Sequence, residues 1–507
     1  MKWYINIIWC KKNLRINDNE ILANINPETP TLGVYFFEPQ MMSLPDYSDF
    51  HLSFTLDCLL ELQKNFMKLG IPLLILPYNA REWLEKLQEY FKIQNIFSHE
   101  ETGNWASYMR DKAVISFCKE NSIEMKEYPT NGVVRRLNNR DSWNHIWKTR
   151  ISKNIFFPQK IQRTLELPLE LCLISKQIKA QYHKQVSYLR GIQKWGESRG
   201  KKVLSDFLKE RSKNYMYHIG KPLKSETSCS RLSPYITYGC LSIKYIYIES
   251  YIQIQELRKL GTESAKKHVE SINLFLARIH WQSHFIQKLE DEPELEFRNL
   301  SKNFDVIRQE TNKELIEKVF QSQSGIPYID AVIRQLQQTG WTNFRSRAIL
   351  ISFLCNTCMQ PWQSIAGRLA QLFIDYEPGI HYSQIQMQAG TTGINTIRIY
   401  NPVHNGKKND PKWDFIKSYL PELQFVPTEY IHEPHLWEWY ETLNYPRPII
   451  DIKENNRIAK DILWSTKWNI NKTQTEKIVK KHASRAFRGK ARKRKKEIIS
   501  PQTSLFE

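Results

Sequence analysis

The 507-residue chain carries 73 Lys and Arg against 53 Asp and Glu, a formal charge of +20. Its length accommodates two or three domains with sizeable cores, and the basic balance points to a polyanionic partner, most simply nucleic acid. No apolar run reaches the roughly 18 residues of a membrane span, and eight scattered cysteines suit reduced thiols in a cytoplasmic protein.

Over residues 1–130, short apolar runs alternate with amphipathic stretches. Strands are predicted at Tyr4–Trp9, Leu32–Phe37, Pro72–Leu76, Asn95–Phe97 and Glu124–Tyr128, and helices at Phe54–Leu69, Ala80–Tyr90 and Ser107–Glu120. This alternation predicts an α/β domain, a doubly wound parallel sheet with helices on both faces. Trp3 to Trp9 is short, runs into Lys11-Lys12 and lacks a small-residue cleavage site, so it reads as a strand and not a signal peptide. No G-x-G-x-x-G follows it, so the dinucleotide fingerprint is absent. Glu100, Glu101 and Asn104 make either a ligand-facing loop or a helix cap.

From 131 to 190 periodicity weakens and Pro, Asn, Arg and Lys accumulate, which predicts an interdomain linker. Helical spacing returns near Tyr188, so residues 191–465 are expected to form a larger all-α domain. Residues 466–507 form a basic tail, in which Lys477 to Lys496 alone holds eleven Lys and Arg. Such a run predicts a solvated extension that adds sequence-independent phosphate affinity without supplying a site.

Within the helical part, Tyr328 to Phe373 is apolar at helical spacing. Arg345 and Arg347 follow the turn signal Thr339-Gly340, and Asp375 and Glu377 lie just beyond the apolar run; charges so placed line a cavity or pair with each other. His381 to Asn395 is too polar for core and reads as a loop. Cys355 and Cys358, one helical turn apart in an apolar run, read as buried thiols and not as half of a metal site. Ser228-Cys229-Ser230-Arg231-Leu232-Ser233-Pro234 enters a helical run, either as an ordinary N-cap or, through Arg231, as a cradle for a diphosphate. Arg278, Trp281 and Phe285 share one helical face.

The stretch Gly325 to Pro402 resembles the flavin-binding core of the photolyase/cryptochrome family. The matching positions are Gly325, Pro327, Asp330, Ala331, Arg334 to Leu336, Thr339 to Trp341, Arg345, Arg347, Asp375, Glu377 and Asn401-Pro402. Ser230 to Pro234 resembles the family's flavin phosphate loop, with Cys229 where many relatives have Thr, and Tyr215 or Tyr217 resembles the aromatic residue contacting the cofactor. Similarity extends through Lys12 to Asn19, Ser98 to Trp105, Asn131 to Leu137 and His432 to Asp451, so it covers roughly residues 2 to 455.

The resemblance implies FAD held by Tyr215, Ser230, Arg231, Leu232, Ser233, Arg347, Asp375, Tyr376 and Glu377, with Arg347 and Asp375 paired beside the isoalloxazine ring and Glu377 at its polar edge. It sets His381 opposite flavin N5, able to donate a hydrogen bond or to change charge with pH. It implies DNA as partner: a flipped pyrimidine dimer meeting Arg278 and Trp281, a phosphate on Arg345, and Met387 and Asn405 on the DNA-facing side. Several positions depart from the family pattern. Arg278 stands where dimer-repairing members carry Glu, which removes an acceptor and adds a fixed cation. Phe344 replaces an Asn, Met387 replaces a Trp, and Gly340 to Phe344 lacks the His of (6-4) photolyases. Relatives pass electrons to the flavin along three tryptophans. Trp362 matches the middle one, Ile385 occupies the proximal position, and Tyr376 or Tyr382 are the candidates to substitute. An antenna chromophore, a folate or a deazaflavin, is implied for the first domain without residues that choose one. The expected function is light-driven, FAD-dependent repair of pyrimidine dimers in DNA. The alternatives are a cryptochrome-like blue-light photoreceptor and a nucleic-acid-binding protein without light chemistry.

Overall fold

Five apolar runs become the strands β1 (Tyr4–Trp9), β2 (Thr31–Phe37), β3 (Leu73–Pro77), β4 (Lys92–His99) and β5 (Glu124–Tyr128). The computed structural model, which describes residues 2–189, 192–469 and 472–483, pairs them into one parallel sheet in the order β3-β2-β1-β4-β5. Helices Asp49–Lys68, Ala80–Tyr90 and Trp105–Glu120 supply crossovers, and separate apolar cores form on the two faces of the sheet. Burial on both faces is why the strands read as continuous apolar runs. β4 outruns its predicted Asn95–Phe97 because β1 pairs with it from Lys92 to Ser98 and β5 as far as His99, and within it the Asn95 amide donates to Asn6 Oδ1 at 2.9 Å. Asn104 caps the third helix, its Oδ1 accepting from Ser107 N at 3.1 Å, and Glu101 pairs with Arg110 at 2.7 Å.

Residues 131–190 contain helices Trp143–Ile151 and Leu169–Gln185. The second lies against β3, where Ser175 Oγ accepts from Ile75 N at 3.0 Å, and so covers an edge strand. No helix among the described residues is long and apolar enough to cross a membrane.

The helical unit sits on the carboxyl end of the sheet. The loop after β1 is held by Leu14 N donating to Tyr238 O (3.1 Å), Arg15 Nη1 to Gly239 O (2.9 Å), and Ile16 N to the Glu197 carboxylate (2.7 Å). Asp18 adds an ion pair with Lys244 at 2.6 Å. Gly239 has φ +67°, and a Cβ there would fall 2.1 Å from Lys12 O, so only glycine allows the two backbones to meet.

Beyond this seat run the long helix Glu263–Asp291, then Pro327–Thr339, Phe344–Ser352 with a π turn Phe353–Thr357, and Trp362–Leu372. Pro327 at the start and Gly340 in the left-handed region just past Thr339 delimit the second of these. Cys355 and Cys358 are both buried thiols.

Two expectations are overturned. The predicted loop from His381 instead lies largely in a helix, Pro378–Ala389, with every residue but Ile380 buried. Its polar side chains are buried because they have partners: Gln386 accepts from Leu300 N (2.7 Å) and donates to Leu295 O and Arg298 O (2.9 and 2.8 Å), and Ser383 donates to Phe285 O (3.2 Å). Gly379 lets this helix approach the long one, since a Cβ would lie 2.6 Å from Ile286 Cα. The basic tail is not solvated throughout. Lys472–His482 is a helix; Ile478 packs with Leu289, Leu295 and Leu300, and buried His482 meets Glu292 at 2.7 Å. The rest of the tail lies outside the described residues.

Replacing Gln386 with Ala would strip partners from three backbone groups. A loss of about 3 kcal/mol is expected, read as a lowered midpoint in thermal or urea unfolding.

Candidate functional site

Arg347 leaves the helix Phe344–Ser352 and Asp375 follows Trp362–Leu372, and the two meet with Nη2 at 2.9 Å from Oδ1 and 3.1 Å from Oδ2. Arg347 is fixed further by Nε donating to Thr342 O at 3.0 Å and by its cation 4.2 Å from the Phe373 ring. The carboxylate is the more buried partner, at 6 % exposed, so the cation offsets a charge that solvent barely reaches.

The phosphate-loop candidates gather beside this pair. Arg231 adopts φ +57°, places its cation 4.0 Å from the Trp341 ring, and donates through Nε to Gln193 at 3.1 Å. Arg211 donates to the carbonyls of Cys229 and Ser230. Ser230 Oγ accepts from Leu232 N at 3.4 Å, and Ser233 opens a helix of only five residues. The Cys229 thiol is pushed up to about 12 by burial, with Arg231, Arg211 and Arg278 pulling the other way. Three guanidinium groups therefore converge on this loop. Arg231 has Glu226 and Asp375 as acidic neighbours, whereas Arg278 faces the Tyr215 hydroxyl and the Arg345 cation, and its buried Nε has no partner. Arg211 is also paired with Asp206 at 2.5 Å, so the unmatched cation is Arg278; an unmatched guanidinium beside a serine-bearing loop fits an anionic group such as a diphosphate. FAD is thus compatible with the residues present: Tyr215, Ser230, Arg231, Leu232 and Ser233 toward the phosphates, and Arg347 and Asp375 toward the ring.

On the long helix, half-buried Trp281 stacks on Phe285 at 5.9 Å and meets His284 edge-on at 5.1 Å. The Arg345 cation lies close enough to the buried Tyr400 hydroxyl to act on it electrostatically. Met387 is buried, and the Asn405 amide donates to Asn401 O within the turn that begins Pro402–Asn409.

His381 lies between the Tyr376 and Tyr382 rings, 5.0 and 5.3 Å away, with Nε2 at 2.9 Å from Ala366 O. Burial lowers it to about 4, so the ring is neutral near pH 7 and Nε2–H donates to that carbonyl. Both expected roles are therefore closed in this arrangement: the charge does not change near neutrality, and the single N–H is already spent on Ala366 O. Trp362 donates to Asn299 at 2.8 Å and stands 6.2 Å from the Tyr382 ring, whose hydroxyl is 3.5 Å from that of Tyr376. Tyr376 in turn donates to Asp46 at 2.6 Å.

Three partners escaped sequence reasoning. Arg211 and Asp46 are lone charges in unremarkable stretches. Lys12, just past β1, forms an ion pair with Glu377 at 3.3 Å. Its one local signal is its position at the carboxyl end of a parallel strand, where ligands of such sheets lodge. The switch point itself, between β1 and β4, is filled by the chain's own side chains. Arg110 and Lys11 lie 5.1 and 4.6 Å from the Trp9 ring, and Arg110 binds Glu101 and Asp111 at 2.7 and 2.8 Å.

Comparison with known proteins accords with this geometry. Residues 6–139 match the family described as DNA photolyase, and residues 275–465 match the FAD binding domain of DNA photolyase. The chain is 25 % identical to the deoxyribodipyrimidine photo-lyase of Buchnera aphidicola, over 92 % of this chain and 98 % of that one. It is 21 % identical to cryptochrome-2 of Gallus gallus, over 89 % and 81 % respectively. The crystal structure of an archaeal photolyase from Sulfolobus tokodaii, described with two FAD molecules, superimposes with a TM-score of 0.75 at 23 % identity, covering 92 % of this chain and all of that one.

Arg347→Met leaves Asp375 without its cation, and a stability loss of about 3 kcal/mol is expected together with low flavin content after purification. For His381, folding favours the neutral ring, so its contribution is full above about pH 6.5 and lost as pH falls toward 4. The gap in melting temperature between wild type and His381→Asn should therefore shrink from pH 7 to pH 5. Other buried histidines such as His51 and His99 act alike in both proteins.

Proposed function

The chain belongs to the photolyase/cryptochrome family, and from that premise we propose that it is a DNA photolyase that repairs pyrimidine dimers using FAD and light. The observation that supports this reading most is the convergence of Arg211, Arg231 and Arg278 on one loop beside the buried Arg347–Asp375 pair, next to a helix face that carries Trp281.

When bound and reduced, FAD would supply light-driven electron transfer to the dimer. The chain's own residues bind and orient. Arg231, Ser230 and Ser233 hold the phosphates, and Tyr215 stands at the floor beside Arg278. The Arg347 cation favours negative charge on the ring, and Asp375 restrains that cation. Trp281 offers an aromatic face to an unstacked base, and Arg345 offers a donor fork to a phosphate. Arg278 differs from a carboxylate in kind. Its guanidinium only donates, so it meets the carbonyl oxygens of a lesion and cannot accept from a base N–H.

That difference, with Ile385 and Met387, is the observation favouring a second reading, a cryptochrome-like blue-light photoreceptor without repair; similarity to the Gallus gallus protein is consistent with it. The readings separate in one assay. Chemically reduced protein carrying FAD is mixed with a thymine-dimer oligonucleotide and kept in light or darkness. Light-dependent loss of the dimer is expected, and Trp281→Ala should weaken lesion binding about tenfold. Bound FAD with no loss of the dimer, or of a (6-4) product tested beside it, sinks the repair reading.

A further inference from the structure

The edge of the candidate flavin site is built from both domains. A small cavity of about 40 Å³ at their junction is lined by Lys12 and Glu101 from the α/β domain and by Thr237, Gly239, Gln282 and Glu377 from the helical domain. Glu377 is buried, and among the described residues Lys12 is the one cation within ion-pair reach of it, at 3.3 Å. The other charged groups at this cavity are Arg15, committed to Gly239 O, and Glu100 and Glu101, the last bound to Arg110.

The position of Lys12 is set by its backbone. Leu14 N and Arg15 hold the loop to Tyr238 O and Gly239 O, and a Cβ at residue 239 would strike Lys12 O at 2.1 Å. The helical domain thus keeps a glycine where a side chain would push Lys12 away from Glu377.

We propose that Lys12 is a positioning residue of the flavin site, through which the α/β domain fixes the charge and direction of the Glu377 carboxylate. This rests on the reading that Glu377 lies at the polar edge of bound FAD. Burial raises the Glu377 carboxyl above the usual range, Lys12 pulls it back down, and Glu101 raises it. Without Lys12, the carboxyl holds its proton to higher pH. A group whose value is raised by folding stabilises at low pH and loses that contribution as pH rises. Removing the cation should therefore cost most at neutral and alkaline pH.

The test uses the full chain loaded with FAD, as wild type, Lys12→Met, Lys12→Arg, Glu377→Gln and the Lys12→Met/Glu377→Gln double variant. Melting temperature and the visible absorption of bound FAD are followed from pH 5 to pH 9. Lys12→Met should show a melting deficit that widens with pH, and a pH-dependent change in the flavin spectrum with a midpoint above any seen in wild type. Lys12→Arg should restore both, and the double variant should lack both pH dependences. Identical melting and spectra for Lys12→Met and wild type would overturn the proposal while leaving the FAD reading intact. A widening melting deficit with an unmoved spectrum would overturn it differently: the pair would be real, but Glu377 would not lie at the ring.

Discussion

Everything at the candidate site depends on the loop after β1 being pressed into the helical domain. Residues Leu14 to Asp18 give their backbone and side-chain polar groups to Tyr238, Gly239, Glu197 and Lys244. The aromatic residues beneath continue the contact: Phe54 of the first domain packs against Trp195, Tyr235 and Tyr238 of the second. One apolar core runs through both units on that side of the sheet. The division into two sequence regions is therefore sharper than the division in space, and the site inherits the rigidity of a shared core.

The charge distribution follows a second logic. Guanidinium groups shielded from solvent without matched carboxylates are costly in a folded chain, yet half-buried Arg278 faces another cation and leaves its Nε unpartnered. An anion bound among them would relieve that cost, and a ligand held by the folded state alone stabilises it by mass action. Loading with a dinucleotide and stability of the helical domain are on this view the same quantity. The Arg347–Asp375 pair is the exception, already neutralised internally.

What could be read from sequence divides along the range of the interactions. The strands were legible because burial on both faces leaves unbroken apolar runs; the pairing of Arg347 with Asp375 came from the family resemblance, since the residues alone left four charges free to pair or to line a cavity. The helix Pro378–Ala389 was not legible. Beside Tyr382, Ile385 and Ala389 it buries Ser383, Gln384, Gln386 and Gln388, and nothing local reveals that Gln386 finds its partners near residues 295–300. Lys12 was invisible as a site residue for the same reason, since its carboxylate lies 365 positions away. For His381 the sequence left a choice of two roles, and it takes the fold to show that burial removes the change of charge and the Ala366 carbonyl at 2.9 Å takes the one N–H.

The glutamine-bound helix has one more consequence. An apolar helix in an apolar groove can slip or rotate by small steps, because contact energy varies smoothly with displacement. Pro378–Ala389 cannot, for a shift of one residue would break every bond from Gln386 at once and set the side chain of Pro378 or Ile380 where only Gly379 fits against Ile286. It behaves as a keyed part, with one seating and no neighbouring one. The frame therefore stays put while side chains on the neighbouring long helix, Arg278 and Trp281 among them, are exchanged. A fold keyed in this way can change what it recognises without moving its backbone.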